Sequence, residues 1–310
     1  MHNKLKEAFL ILLVLFSWGF AADGENYLAD PATSGLSYLR LPVSARAAAL
    51  GNTMVSMSTD VGGVLANPAI AGGNDSVMAM ISQEFMTLDR SHYFVAAQYP
   101  LSWYQASVGL GYVQYGIKGF DGRDMNGTQT GTFSDLETTV AAWYGGAIRK
   151  NLFWGALGEY HKQEFETATA KGFSFGTGLL YRISPLVEVG VAAQNLGWNY
   201  TWSTGYAENI SPSFLIGGST HLLSNTLNIG SDVEWTPKNF PQAHLGVEYW
   251  IVPQFCVRAG TQAPNPIQGS GGIGIKYKAL SIDYAFTYHQ SGLGSSHLLS
   301  LLFKMQSFDW

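Results

Sequence analysis

Leu280-Ser-Ile-Asp-Tyr-Ala-Phe-Thr-Tyr-His289 changes hydropathy at every step. Successive side chains of a strand point to opposite faces. Leu280, Ile282, Tyr284, Phe286 and Tyr288 therefore share one apolar face, and Ser281, Asp283, Ala285, Thr287 and His289 share a wetter one. Nearly every run from Val77 to Met305 reads the same way. Repeated strands of this kind, with no ordinary core to bury their greasy faces, are the pattern of an outer-membrane barrel with lipid outside and polar groups inside. The pattern predicts that Ile282, Tyr284 and Phe286 resist charge, and that inward Ala285 accepts it more easily in a wet lumen.

The connections carry the same message. Tight ones fall at Pro100–Trp103, Arg149–Asn151, Ile183–Leu186, Ser224–Asn225, Val252–Gln254 and Lys278–Ala279. Between them lie longer Gly-rich and polar stretches, Met86–Arg90, Lys118–Phe133, Glu164–Ala170, Gly197–Ile210, Thr236–Gln242, Ala263–Ser270 and Gln290–Ser295. Six turns and seven loops join fourteen strands. The prediction is a closed, antiparallel, all-β transmembrane barrel over residues 77–310, with short turns facing the periplasm and long loops facing outward.

Composition agrees. Charged residues make up 13% of the chain, against roughly 25% in an average soluble domain, while aromatics reach 14%. Lys4 and Lys6 precede an apolar run, Ala8–Phe16, that is too short to span a bilayer, and Gly19-Phe-Ala21 supplies small residues at a cleavage position. Residues 1–21 thus read as a signal peptide, which directs the remainder to the bacterial outer membrane. Without Lys4, Lys6 and Glu7, the 17 basic and 22 acidic residues become 15 and 21, a net charge of −6 that speaks against nucleic acid as a partner. The lone Cys256, beside Phe255 and Val257, reads as a small packed residue.

Residues 22–76 differ from the rest. Ser44 offers an N-cap to Ala45–Leu50 and Gly51 a stop; Asp60-Val-Gly-Gly63 and Asn67-Pro-Ala69 are turns. This Gly-rich stretch is too small to hold a core of its own. It reads as a hatch that plugs or lines the barrel. The block Leu39-Arg-Leu-Pro-Val-Ser-Ala-Arg-Ala-Ala-Ala-Leu-Gly51, followed by Asp60 and Leu65-Ala-Asn-Pro-Ala69, resembles the N-terminal signature of the PorV/PorQ family. It departs at Asn52, Ala66 and Ile70. Leu245–Tyr249, Val257–Gly260, Gly272–Tyr277, Ile282–Phe286 and Ser296–Leu301 are similar to that family's final strands. The family belongs to the larger FadL-like group. The resemblance implies an internal hatch with Arg40, Pro42, Arg46, Asn67, Pro68 and Ala69 as its motif. It also implies a non-enzymatic role in protein export of the type IX kind, with secreted cargo or secretion-system components as partners. The alternatives are a FadL-like channel for hydrophobic small molecules and a structural barrel.

Several residues invite a role. Arg40 and Arg46 either meet cargo and gate the lumen or pair with the inward acids Asp232, Glu234, Glu248 and Asp283, since a buried charge needs a partner. Asn67 and Pro68 fix a turn, the Asn by bonding its own backbone and the Pro by setting φ. Gly109 and Gly111 share a face of the third strand. They either mark a lateral opening of the FadL-like kind or make room for the hatch. Trp198, Tyr200, Trp202 and Tyr206 either form an extracellular cargo surface or belong to the outer aromatic girdle. His221, His244, His289 and His297, even with Ser295 and Ser296 beside the last, show no ligand spacing and no nucleophile elbow, and no cofactor is expected.

Overall fold

The computed structural model describes residues 36–197, 200–237, 240–264, 267–289 and 294–306. The expected signal peptide, the first part of the expected hatch and Trp198 lie outside these residues. The strands are β1 (Ser76–Met86), β2 (Arg90–Leu101), β3 (Ala106–Arg123), β4 (Gln129–Arg149), β5 (Leu152–Phe165), β6 (Ala168–Ser184), β7 (Val187–Gly197) and β8 (Tyr200–Trp202). There follow β9 (Ala207–Glu208), β10 (Ser213–Leu222), β11 (Leu227–Trp235), β12 (Gln242–Val252), β13 (Phe255–Ala263), β14 (Gln268–Tyr277), β15 (Leu280–His289) and β16 (Gly294–Gln306).

Fourteen of these strands pair antiparallel with their neighbours, and β1 pairs with β16, so the barrel closes. β8 and β9 form a small hairpin docked on β6 through Ala170 and Lys171. Closure removes the sheet edges that an open sheet would expose to lipid, where no water can satisfy them. Among the described residues no helix is long and apolar enough to cross a membrane.

The alternation of Leu280–His289 is realised as read: Ile282 and Phe286 are 45% and 40% exposed on the outer surface, while Ala285 is 1% exposed inside. Two expectations change. The stretch Lys118–Phe133 is mostly not loop, because β3 and β4 continue as a ladder to Arg123 and Gln129. Glu164–Ala170 shrinks likewise to a tight turn between β5 and β6. These strand ends bury neither face, so their composition looks like loop.

Inside the barrel runs the segment 36–75. It holds a 3₁₀ turn at Ser37–Arg40, helix α1 (Ala45–Ala49), and 3₁₀ turns at Val61–Gly63 and Pro68–Ala71. The last three each start with a polar cap: Ser44, Asp60 and Asn67 accept from the backbone N–H of Ala47, Gly62 and Ala69. Three alanines of α1, Ala45, Ala48 and Ala49, lie against Ala285 and Leu298, so the lumen is filled, not wet, behind Ala285. Two charge substitutions on β15 should therefore both be costly. Ile282→Arg meets lipid, at about 2–4 kcal/mol near the midplane. Ala285→Arg forces its guanidinium into α1, and overpacking alone costs about 1–3 kcal/mol. Unfolding in bilayers measures both, and a loss under about 1 kcal/mol for Ala285→Arg would mean that α1 does not pack there.

Candidate functional site: the filled lumen

Backbone polar groups buried in a lumen need partners. Here the barrel wall supplies them. Ala45 N–H donates to Ser300 Oγ at 2.7 Å and Val55 N–H to Asp232 Oδ2 at 2.9 Å. The carbonyls of Ala49, Ser56 and Asn74 accept from Ser270, Ser219 and Ser107 at 3.2, 3.2 and 3.1 Å. Gln194 Nε2 donates to the Leu65 carbonyl and, at 2.6 Å, to that of Ala66.

Close approach is bought with glycine. Gly145, Gly155 and Gly178 sit side by side across β4, β5 and β6, and Gly230, Gly246 and Gly260 across β11, β12 and β13. A Cβ on Gly145 would lie 2.7 Å from the Pro68 carbonyl oxygen, and one on Gly246 2.7 Å from that of Leu50. On Gly155 and Gly260 it would overlap the backbone of Pro68 and of Leu50–Gly51. The two glycine rows are seats for the 3₁₀ turn at Pro68 and for the end of α1.

The expected motif residues take different places. Arg46 is the electrostatic anchor. Its Nε donates to Glu248 Oε2 at 3.0 Å, Nη2 to the Met57 carbonyl at 3.2 Å, and Nη1 lies 3.6 Å from Asp60 Oδ2. Glu248 also accepts from Arg258 Nε at 2.7 Å and Asn228 Nδ2 at 3.0 Å, and Arg258 Nη1 reaches Asp283 Oδ1 at 2.5 Å. Of the four candidate acids, Glu248 thus serves Arg46, Glu234 lies 3.9 Å from Arg40, Asp232 serves a backbone N–H, and Asp283 serves a wall arginine. Pro42 is half-buried in the link before α1, and Ala69 is fully buried. Asn67 does more than shape its turn. Its Nδ2 donates to the carbonyls of Val55 at 2.8 Å and Leu179 at 3.2 Å, tying the segment to β6 between Gly178 and Gly190.

Gly109 and Gly111 open no gap. Gly109 pairs with Gln98 and Trp143, and Gly111 with Ala96 and Ala141, so the ladder runs unbroken through both. Their missing side chains make room not for the luminal segment but for the inward indole of Trp143, which donates to Gln98 Oε1 at 3.1 Å. Tyr200, Trp202 and Tyr206 do not form a joint aromatic surface. Tyr200 is fully buried, Trp202 is half-buried with its Nε1 on Glu208 at 2.7 Å, and Tyr206 is 62% exposed.

A buried chain absent from the sequence expectations joins the segment to β4, β5 and β6. Tyr38 Oη contacts Thr139 Oγ1, which lies 2.7 Å from His161 Nδ1; His161 Nε2 lies 2.8 Å from Ser174 Oγ, and Ser174 Oγ donates to Glu159 Oε2 at 2.8 Å. Since the Ser174 proton goes to Glu159, His161 Nε2 must donate to Ser174 and Nδ1 must accept from Thr139, which in turn accepts from Tyr38. A serine beside a histidine suggests a hydrolase, but both are 0% exposed and every proton is engaged, so the chain is a tether. His161 is inward in the β5 alternation, and that alternation was its signal in the sequence.

The rest of the inner wall is of two kinds. β1–β6 present apolar and aromatic groups, including Met78, Met80, Phe94, Val113, Trp143 and Leu157. The short-turn end holds a charged cavity of about 610 Å³, lined among others by Arg46, Asp60, Lys276, Asp283 and Lys304.

No protein-family model matches the chain, and no curated protein sequence matches it. Solved structures share its fold. The CymD monoaromatic hydrocarbon channel superposes with a TM-score of 0.65 at 12% identity, over 87% of this chain and 99% of that one. The toluene transporter TbuX of Ralstonia pickettii does so at 0.61 and 14%, over 86% and 98%. A FadL homologue of Pseudomonas aeruginosa does so at 0.61 and 11%, over 85% and 98%. The likeness is one of architecture: the chain has the fold of a FadL-like outer-membrane β-barrel.

Proposed function

We propose that this barrel passes hydrophobic small molecules across the outer membrane, with residues 36–75 as the hatch that closes its lumen. The apolar inner wall of β1–β6 carries the reading. A barrel that conducts hydrophilic solutes lines its channel with polar groups. Here Met, Phe, Val, Trp and Leu side chains face inward on six adjacent strands, which suits an apolar passenger. The solved structures of the same architecture include a monoaromatic hydrocarbon channel and a toluene transporter, which points the same way.

The cargo-carrier role implied by the PorV/PorQ resemblance needs an exposed contact surface on the loops. Of the described aromatic candidates only Tyr206 is well exposed, which favours the small-molecule reading. Uptake separates the two. Cells of a host deleted for its own hydrophobic-solute channel, producing the full chain, should take up labelled toluene several-fold faster than vector controls and arabinose no faster. Equal toluene uptake with the barrel folded in the outer membrane, together with abundant secreted proteins co-purifying, would favour export.

A further inference from the structure

The cavity at the short-turn end reaches from the exposed residues Thr59, Asp75 and Lys276 to Arg46 on α1, which is 8% exposed. Its lining carries five basic side chains, Arg46, Arg258, Lys276, Lys278 and Lys304, and three acidic ones, Asp60, Asp75 and Asp283. Glu248, behind the two arginines, offsets one more, which leaves one positive charge in excess.

The unused hydrogen-bonding capacity has the same sign. The acids are engaged. Asp283 Oδ1 accepts from Arg258 Nη1 at 2.5 Å, Asp60 Oδ1 from the Gly62 N–H at 2.9 Å, and Asp75 Oδ1 from Ser76 Oγ at 3.0 Å. Four donor groups are less well served. Arg46 Nη1 is buried and makes no hydrogen bond among the described residues; Asp60 Oδ2 stands off at 3.6 Å. Lys276 Nζ and Ser281 Oγ have no hydrogen-bond or ion-pair partner among the described residues. Lys304 Nζ makes one long bond, to the Thr59 carbonyl at 3.4 Å.

Register brings these donors together. Lys276 pairs with Ser281, Ser281 pairs with Leu302, and Lys304 follows two residues later on the same face of β16. Lys304 lies within electrostatic range of Lys276 and Arg46, and of Asp60 and Asp75. A buried donor without an acceptor costs free energy, and cations gathered around one space repel unless an anion joins them.

We propose that this cavity binds a phosphate group. Donors from α1, β14, β15 and β16 outnumber the two oxygens of a carboxylate and suit the three terminal oxygens of a phosphate monoester. Arg46 Nη1 meets the phosphate from the buried end, Lys276 and Lys304 from two sides, and Ser281 Oγ from between them. The volume of about 610 Å³ leaves room for an organic remainder beside Trp250 and Leu302. Arg46 belongs to the luminal segment and the other three donors to the wall, so the bound phosphate also ties segment to wall. The group is either free phosphate or the phosphate of an organic molecule such as a lipid headgroup.

The test uses the full chain in octyl glucoside micelles, which carry no phosphate, at an ionic strength fixed with sodium chloride. Calorimetry is run with inorganic phosphate, glycerol 3-phosphate and acetate. At least one of the two phosphates should bind saturably, roughly tenfold or more tightly than acetate. Tighter binding of glycerol 3-phosphate assigns an organic phosphate; equal or tighter binding of inorganic phosphate assigns the free ion. Lys276→Gln should weaken the binding about tenfold, the loss of one charge-assisted hydrogen bond. Lys278→Gln removes the same charge from the rim, but that ammonium lies 5.4 Å from the Tyr277 ring centroid, and binding should be unchanged. Both lysines are exposed, so neither change disturbs a buried contact. The site is wrong if neither phosphate binds saturably or if acetate binds as tightly. Equal losses from Lys276→Gln and Lys278→Gln would also overturn it, since they would mark unspecific attraction to a basic rim.

Discussion

Glu248→Leu is expected to destabilise the barrel by about 3–5 kcal/mol, the loss typical of removing one partner from a buried ion pair. Glu248 is 2% exposed and lies between two arginines, Arg46 on the luminal segment and Arg258 on β13. Leucine fills similar space but removes both charge-assisted contacts and orphans Asn228 Nδ2. Arg258 keeps Asp283 at 2.5 Å, whereas Arg46 keeps a neutral carbonyl, that of Met57 at 3.2 Å, and as its acid only the looser Asp60 at 3.6 Å. The penalty therefore falls on Arg46 and on the seating of α1. Adding Arg46→Met should recover part of the loss, because a buried ion pair replaced by apolar groups of similar volume often costs little. Denaturant unfolding in lipid vesicles reads both variants. A loss below about 1 kcal/mol for Glu248→Leu would mean that water reaches the pair and screens it.

The fold was legible because a lipid-facing strand must alternate. Leu280–His289 shows the period without help from any other segment, and the pairing of β1 with β16 follows from the need to close an even set of strands. What lay beyond the alternation depended on register. Arg46 plainly needed an inward acid, but only the alignment of β12 with β13, which sets Glu248 opposite Arg258, shows which acid stands below α1. The glycines show the same limit. Gly109 and Gly111 gave no hint that the side chain filling their space was Trp143, thirty-odd residues later on β4. The same was true of the two glycine rows, which emerge only once Gly145, Gly155 and Gly178 line up across three strands. The alternation in Trp198-Asn-Tyr-Thr-Trp202 read as a loop rich in aromatics, yet Tyr200–Trp202 is a strand, and its period 2 buries Tyr200. His161 escaped notice because a lone inward histidine has no sequence motif; its role appears when Tyr38, more than a hundred residues earlier, is brought to Thr139.

We propose that the lumen is closed by the chain's own segment, held by specific wall contacts rather than forming part of the wall. No strand ladder passes through residues 38–70, and every barrel pairing lies at Ser76 or beyond. Removing the segment should thus leave closure between β1 and β16 intact while opening the interior. It also exposes the seats at Gly155 and Gly260 and leaves Glu248 with only Arg258 as its cationic partner, so the shortened barrel should be less stable yet still insert. Planar-bilayer conductance decides the point. The full chain should show little or no ion conductance, and the chain lacking residues 38–70 should show stable, long-lived conducting steps. Equal conductance from the two proteins, both inserted and folded, would contradict the account.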